Sequence, residues 1–124
     1  MPRKRDWPPC EVDEHGLNRA ITVHALDDAS MRAAGFTDTR GSAWYYSRNL
    51  GDDVSFNVSV EKDGSSWRID ILDEMFCQPY DYQSILRHCP THPIAHKTYE
   101  AVEREMERLG KLGIVSGHVP GDYI

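Results

Sequence analysis

With 124 residues, 40% of them hydrophobic and 27% charged, the chain fits one globular domain that can bury its own core. Fourteen basic against 20 acidic residues leave a net charge of −6, which speaks against the basic face of a nucleic-acid binder. No apolar run approaches the ~20 residues that span a membrane, and three cysteines (Cys10, Cys77, Cys89) without a CxxC speak against a disulfide framework and for a reducing, cytoplasmic setting.

Residues 1–19 hold Pro2, Pro8, Pro9 and Gly16 among many charges and read as a flexible arm, with Trp7 as its one anchor. Its basic start, Arg3-Lys4-Arg5, is followed by no apolar stretch and so does not read as a secretory signal. Residues 20–124 then form a single α+β domain. Ala20 to Leu26 alternates as a strand does. Asp27-Asp28 offers a helix cap, Ala29 to Ala34 a short helix and Gly35 its stop.

The strongest pattern lies in residues 43–73. Ala43 to Asn49 is aromatic-rich and predicts a strand. Asp53 to Glu61 alternates, with Val54, Phe56, Val58 and Val60 on one side. Ser66 to Asp73 does the same with Trp67, Ile69 and Ile71, and Lys62-Asp63-Gly64-Ser65 supplies the hairpin turn. Pairing Glu61 with Ser66 sets Val60 opposite Trp67, Val58 opposite Ile69 and Phe56 opposite Ile71, and puts Asn57 opposite Asp70 on the polar face. A slip of one residue would invert both faces. The expected architecture is therefore an antiparallel meander of three or four strands, covered on one face by a long C-terminal helix.

That helix is predicted over 93–110. Pro93 suits a first turn, Thr91 or His92 a cap, and Gly110 and Gly113 an end. Ala95, Tyr99, Val102, Met106 and Leu109 make its apolar stripe, with Glu100–Arg104 and Glu107–Lys111 as outer ion pairs. A shorter helix runs from Asp81 to His88 and stops before Pro90.

Several constellations carry chemistry. His88, His92 and His96 recur every four residues with Cys89 among them, which on one helix would make a metal face. Pro90 and Pro93 break that helix, so the segment reads as a joint between helices and the histidines as surface groups near helix ends. Cys77 follows Asp73 and Glu74, whose charge opposes a thiolate, and no cofactor or hydrolase motif is present. The segment Asp73-Glu74-Met75-Phe76-Cys77-Gln78-Pro79-Tyr80-Asp81-Tyr82-Gln83 stands out as polar and aromatic where a strand meets a helix. With a returning tail it predicts a binding patch of Asp73, Glu74, Gln78, Tyr80, Asp81, Tyr82, His118, Asp122 and Tyr123. In that reading Tyr82→Ala leaves stability unchanged and removes partner binding. Tyr45 is expected on the outer face of the sheet, where two copies could pair as a homodimer.

The run Arg68-Ile69-Asp70-Ile71-Leu72-Asp73-Glu74, then Phe76 and Gln78-Pro79-Tyr80-Asp81-Tyr82-Gln83, with the ending Ser116-Gly117-His118-Val119-Pro120-Gly121-Asp122-Tyr123-Ile124, resembles a group of small uncharacterised bacterial proteins over about residues 36–124. The resemblance implies no named activity. Such proteins accompany mobile elements, which implies an interaction or anti-defence role. The expected function is a small cytoplasmic interaction or regulatory module without cofactor, binding another protein or a small polar ligand. Two other classes stand beside it: an acidic inhibitor of a nucleic-acid-binding protein, and a small enzyme or metal protein.

Overall fold

The alternation of residues 54–60 builds the centre of the molecule. In the computed structural model, which describes residues 21–38 and 41–119, these residues form the second strand of a four-stranded antiparallel sheet. The expected arm 1–19, and Asp122 and Tyr123 of the tail, lie outside the described residues. The elements are β1 (Thr22–Val23), α1 (Asp28–Ala33), β2 (Ala43–Gly51), β3 (Val54–Glu61), β4 (Trp67–Asp73), β5 (Gln78–Pro79), α2 (Tyr82–His88), α3 (Pro93–Lys111) and β6 (Val115–Ser116). The sheet runs in the order β2-β3-β4-β5, a meander.

The register is the expected one. Val60 faces Trp67, Val58 faces Ile69, Phe56 faces Ile71 and Asn57 faces Asp70. The inner face buries Val54, Phe56, Val58, Val60, Ile69 and Ile71, each at most 6% exposed. On the outer face Ser47 Oγ donates to Asn57 Oδ1, Asn57 Nδ2 to Ser55 Oγ, and Ser55 Oγ to Glu74 Oε1. Tyr45 stands exposed on that outer face, as expected.

Helix α3 covers the inner face. Ala95, Val102, Met106 and Leu109 are buried, while Tyr99 of the expected stripe is only partly so. Asp27 caps α1 and Asp81 caps α2, accepting the N–H of Ser30 and of Ser84, the third residue of each helix. His92 caps α3 through Nδ1, which accepts from Ala95 N–H at 3.2 Å. Gly35 follows α1 at φ +101°, and a Cβ there would meet the Tyr46 ring at 3.2 Å.

Three expectations need correction. The 20–26 strand shrinks to Thr22–Val23 and pairs with β6, not with the main sheet. Its apolar residues Ile21 and Val23 are buried beside Ile114 and Val115, so burial rather than sheet extension accounts for the alternation. Gly110 lies inside α3, and the helix ends at Lys111 with Leu112 as cap. Glu107–Lys111 pairs at 3.0 Å, but Glu100 takes His96 at 3.2 Å.

One buried polar link was invisible in the stripe. Glu105, 6% exposed, accepts from the Tyr46 hydroxyl of β2 at 2.5 Å. The Arg48 and Arg108 guanidinium groups each approach its carboxylate to 3.7 Å. Arg108 also lies over the Tyr46 ring and donates to the Ala34 carbonyl. Burial, and then the bond to Glu105, push the Tyr46 phenol above its ordinary value of 10.0.

Two outcomes follow from this packing. Met106→Ala empties a buried site and should cost about 2–5 kcal/mol in urea denaturation with an unchanged m-value. Tyr46 is protonated in the fold to a higher pH than in the unfolded chain. Its contribution is present below pH 10.0 and is lost as pH rises through the folded-state value. Denaturation midpoints measured upward from neutral pH should fall in the alkaline range for the native chain, with a shallower fall for Tyr46→Phe.

Candidate functional site

Two tight turns meet at one end of the sheet. The β2–β3 hairpin turns through Asp52 and Asp53, both left-handed, at φ 55° and 60°. Aspartate tolerates that region, and two such residues in a row suit the twist of a two-residue hairpin. After β4 the chain turns through Glu74, Met75 and Phe76 to Cys77, at φ 53°. The Glu74 N–H donates to the Asp53 carbonyl at 2.7 Å and joins the two turns.

Asp73 organises the second turn. Its Oδ1 accepts from the Met75 N–H at 3.0 Å and from the Phe76 N–H at 3.3 Å. The backbone is thus tied inward while the two side chains point out: Met75 is 65% exposed and Phe76 68%. The first turn of α3 adds Ile94, 41% exposed. Together with Asp52, Asp53, Val54, Asp73, Tyr80, Ile85 and His92, these residues line a cleft of about 310 Å³.

The cleft is acidic. Asp52, Asp53 and Asp73 line it, and Lys97 pairs with Asp52 at 3.3 Å. The Tyr80 phenol is raised above its ordinary value by burial first, then by the carboxylates of Asp73 and Asp52. Glu74, beside them in sequence, is anchored by Ser55.

Of the expected patch, Asp73 and Tyr80 line the cleft, while the Glu74 carboxylate lies on the outer face of the sheet against Ser55. Gln78 pairs with Asp73 across β4 and β5, and the Tyr80 N–H donates to the Ile71 carbonyl. Asp81 is exposed, and its carboxylate serves as the α2 cap. Tyr82 is fully buried in the core and presents no contact surface, so Tyr82→Ala acts on stability, contrary to the expectation. The described part of the tail does not follow the expected course onto the 78–83 loop. Val115 and Ser116 pair with β1, and His118 Nε2 meets Glu103 of α3 at 3.3 Å. The backbone pairing of β6 holds the chain there.

The histidine joint is as the prolines dictate: α2 ends at His88 and α3 starts at Pro93. His88 bonds the Ser84 carbonyl, His92 caps α3, His96 meets Glu100, and the Cys89 N–H donates to Ile85. Among the described residues no three His, Cys, Asp or Glu side chains converge as metal ligands would. Cys77 and Cys89 are exposed free thiols. The sequence pattern missed Asp52, Asp53, Ile85 and Ile94, which distant segments contribute. The Met75-Phe76 pair was visible as an apolar step inside a polar turn, outside any strand or helix period.

No family model and no curated protein matches the chain. Among solved structures, it is similar to the crystal structure of a DUF1831-family protein from Lactobacillus plantarum, with a TM-score of 0.58 at 13% identity. The match covers 77% of this chain and 82% of that one, and it shows the α+β fold alone.

Proposed function

We propose that the protein is a small docking module of the cytoplasm that acts by binding another protein through the 73–80 end of its sheet. The observation that carries this reading is the exposed pair Met75 and Phe76 on a turn held by Asp73. A turn whose backbone is already held before contact loses less entropy on binding, which is what an interface anchor needs. The polar groups around the pair are occupied structurally: Asp73 ties the turn, Asp81 and His92 cap helices, and Asp52 meets Lys97. That distribution favours binding over chemistry. The resemblance of residues 68–83 and 116–124 to small bacterial proteins that accompany mobile elements supports a regulatory or anti-defence partner. An inhibitor of a nucleic-acid-binding protein would be the same docking activity with a basic partner.

Two measurements check the reading. Asp73→Ala removes the acceptor of two amides and should cost about 1 kcal/mol. Hydrogen exchange at Met75 and Phe76 should speed up in that variant and stay slow in Asp73→Asn, whose amide oxygen still accepts. For the surface itself, immobilised native chain, a Met75→Ser/Phe76→Ser variant and a Tyr45→Ala variant are exposed to lysate of the native host. All three should melt alike. A protein held by the native chain should be held by Tyr45→Ala and lost from the turn variant. The reverse pattern would move the docking surface to the outer face of the sheet.

A further inference from the structure

We infer that the cleft at this end of the sheet takes a basic polypeptide segment, which seats one large apolar side chain between Phe76, Tyr80, Ile85 and Ile94 and sets lysine or arginine against Asp53 and Asp73. The inference rests on the docking reading and adds the chemistry of the partner.

Size is the first argument. A volume of about 310 Å³ lies at the small end of ligand sites, which run roughly 300–1,000 Å³. It suits a single leucine- or phenylalanine-sized anchor better than a nucleotide cofactor. The lining is the second. Its apolar members come from five places in the chain, Val54 of β3, the 75–76 turn, Tyr80, α2 and the first turn of α3, so the walls are set by the fold and not by one loop. Met75, Phe76 and Ile94 extend the apolar surface past the mouth of the cleft. An anchor seated there excludes water around it, the arrangement of an interface hot spot.

Charge is the third argument and selects the partner. Three carboxylates line the cleft, and the charge of one is offset by Lys97. Tyr80 reports the resulting field, because the carboxylates of Asp73 and Asp52 both help to keep its phenol protonated. The same field attracts an ammonium or guanidinium group and repels phosphate, so it opposes nucleic acid and anionic lipid headgroups as occupants. A net charge of −6 over the chain steers in the same direction. The protonated Tyr80 hydroxyl remains a donor for a carbonyl of the incoming segment.

The test uses three synthetic peptides with the same leucine positions and Lys, Gln or Glu at every polar position. Each is titrated against the full chain by fluorescence anisotropy at low and at high salt. The Lys peptide should bind one to one, at least about tenfold tighter than the Gln peptide at low salt, with the margin shrinking as salt rises. Phe76→Ser/Ile94→Ser should weaken both the Lys and the Gln peptide. Asp53→Asn/Asp73→Asn should weaken the Lys peptide alone. Equal binding of the Lys and Gln peptides, both lost in Phe76→Ser/Ile94→Ser, would leave docking intact and overturn the basic partner. No binding of the Lys peptide, or binding that ignores both pairs of substitutions, would overturn the inference as well, while the docking reading would still answer to the turn variant in lysate.

Discussion

Val54, Phe56, Val58 and Val60 stand on one face of β3 and must be kept from water. Each contributes roughly 1.5–3 kcal/mol when fully buried. Because side chains alternate along a strand, that requirement allows only registers that keep all four on the same face. Strands β2 and β4 therefore lie on either side in one alignment, and the turns between them fall at set places. The 52–53 hairpin and the 73–77 turn end up side by side, joined by the Glu74–Asp53 backbone bond. The candidate site is a consequence of how β3 is covered.

Apolar burial says that α3 must lie under the sheet but not in which rotation. The buried carboxylate of Glu105 supplies direction. A hydrogen bond to Tyr46 with two guanidinium groups at 3.7 Å is satisfied in one orientation only. A 19-residue helix spans roughly 28 Å, so its first turn reaches the sheet end where Asp73 and Tyr80 sit. His92 and Ile94 arrive in the cleft by that route. The cap of α3 and the wall of the site are thus the same few residues.

The two faces of the sheet are used differently. The outer face runs a chain of side-chain hydrogen bonds from Ser47 through Asn57 and Ser55 to Glu74, well suited to contact with water. The sheet end instead leaves Met75 and Phe76 bare among carboxylates. Exposed apolar residues next to each other cost solubility unless something meets them. The surrounding negative charge reduces self-association of this end, because a second copy would bring the same charges, and it leaves the surface open to a partner of opposite charge.

Local signals settled much of this molecule in advance. Period-two alternation over 53–61 and 66–73 determined two strands, their pairing and the inner face, because register and burial are the same constraint in a hairpin. Asp27, Asp81 and Pro93 marked helix starts, because capping depends only on neighbours within one turn. The polar and aromatic segment after β4 contributes Asp73, Met75, Phe76 and Tyr80 to the cleft. Long-range choices escaped. That Thr22 and Val23 pair with β6, that Glu105 faces Tyr46, and that Tyr82 enters the core depend on which distant surface is nearest, and no local period encodes it. The cleft itself joins residues 52–54, 73, 75–76, 80, 85, 92 and 94. Its apolar walls and its carboxylates come from turns and helix ends that only the packing of α3 against β3 brings together, so the site became legible in the tertiary structure and not before.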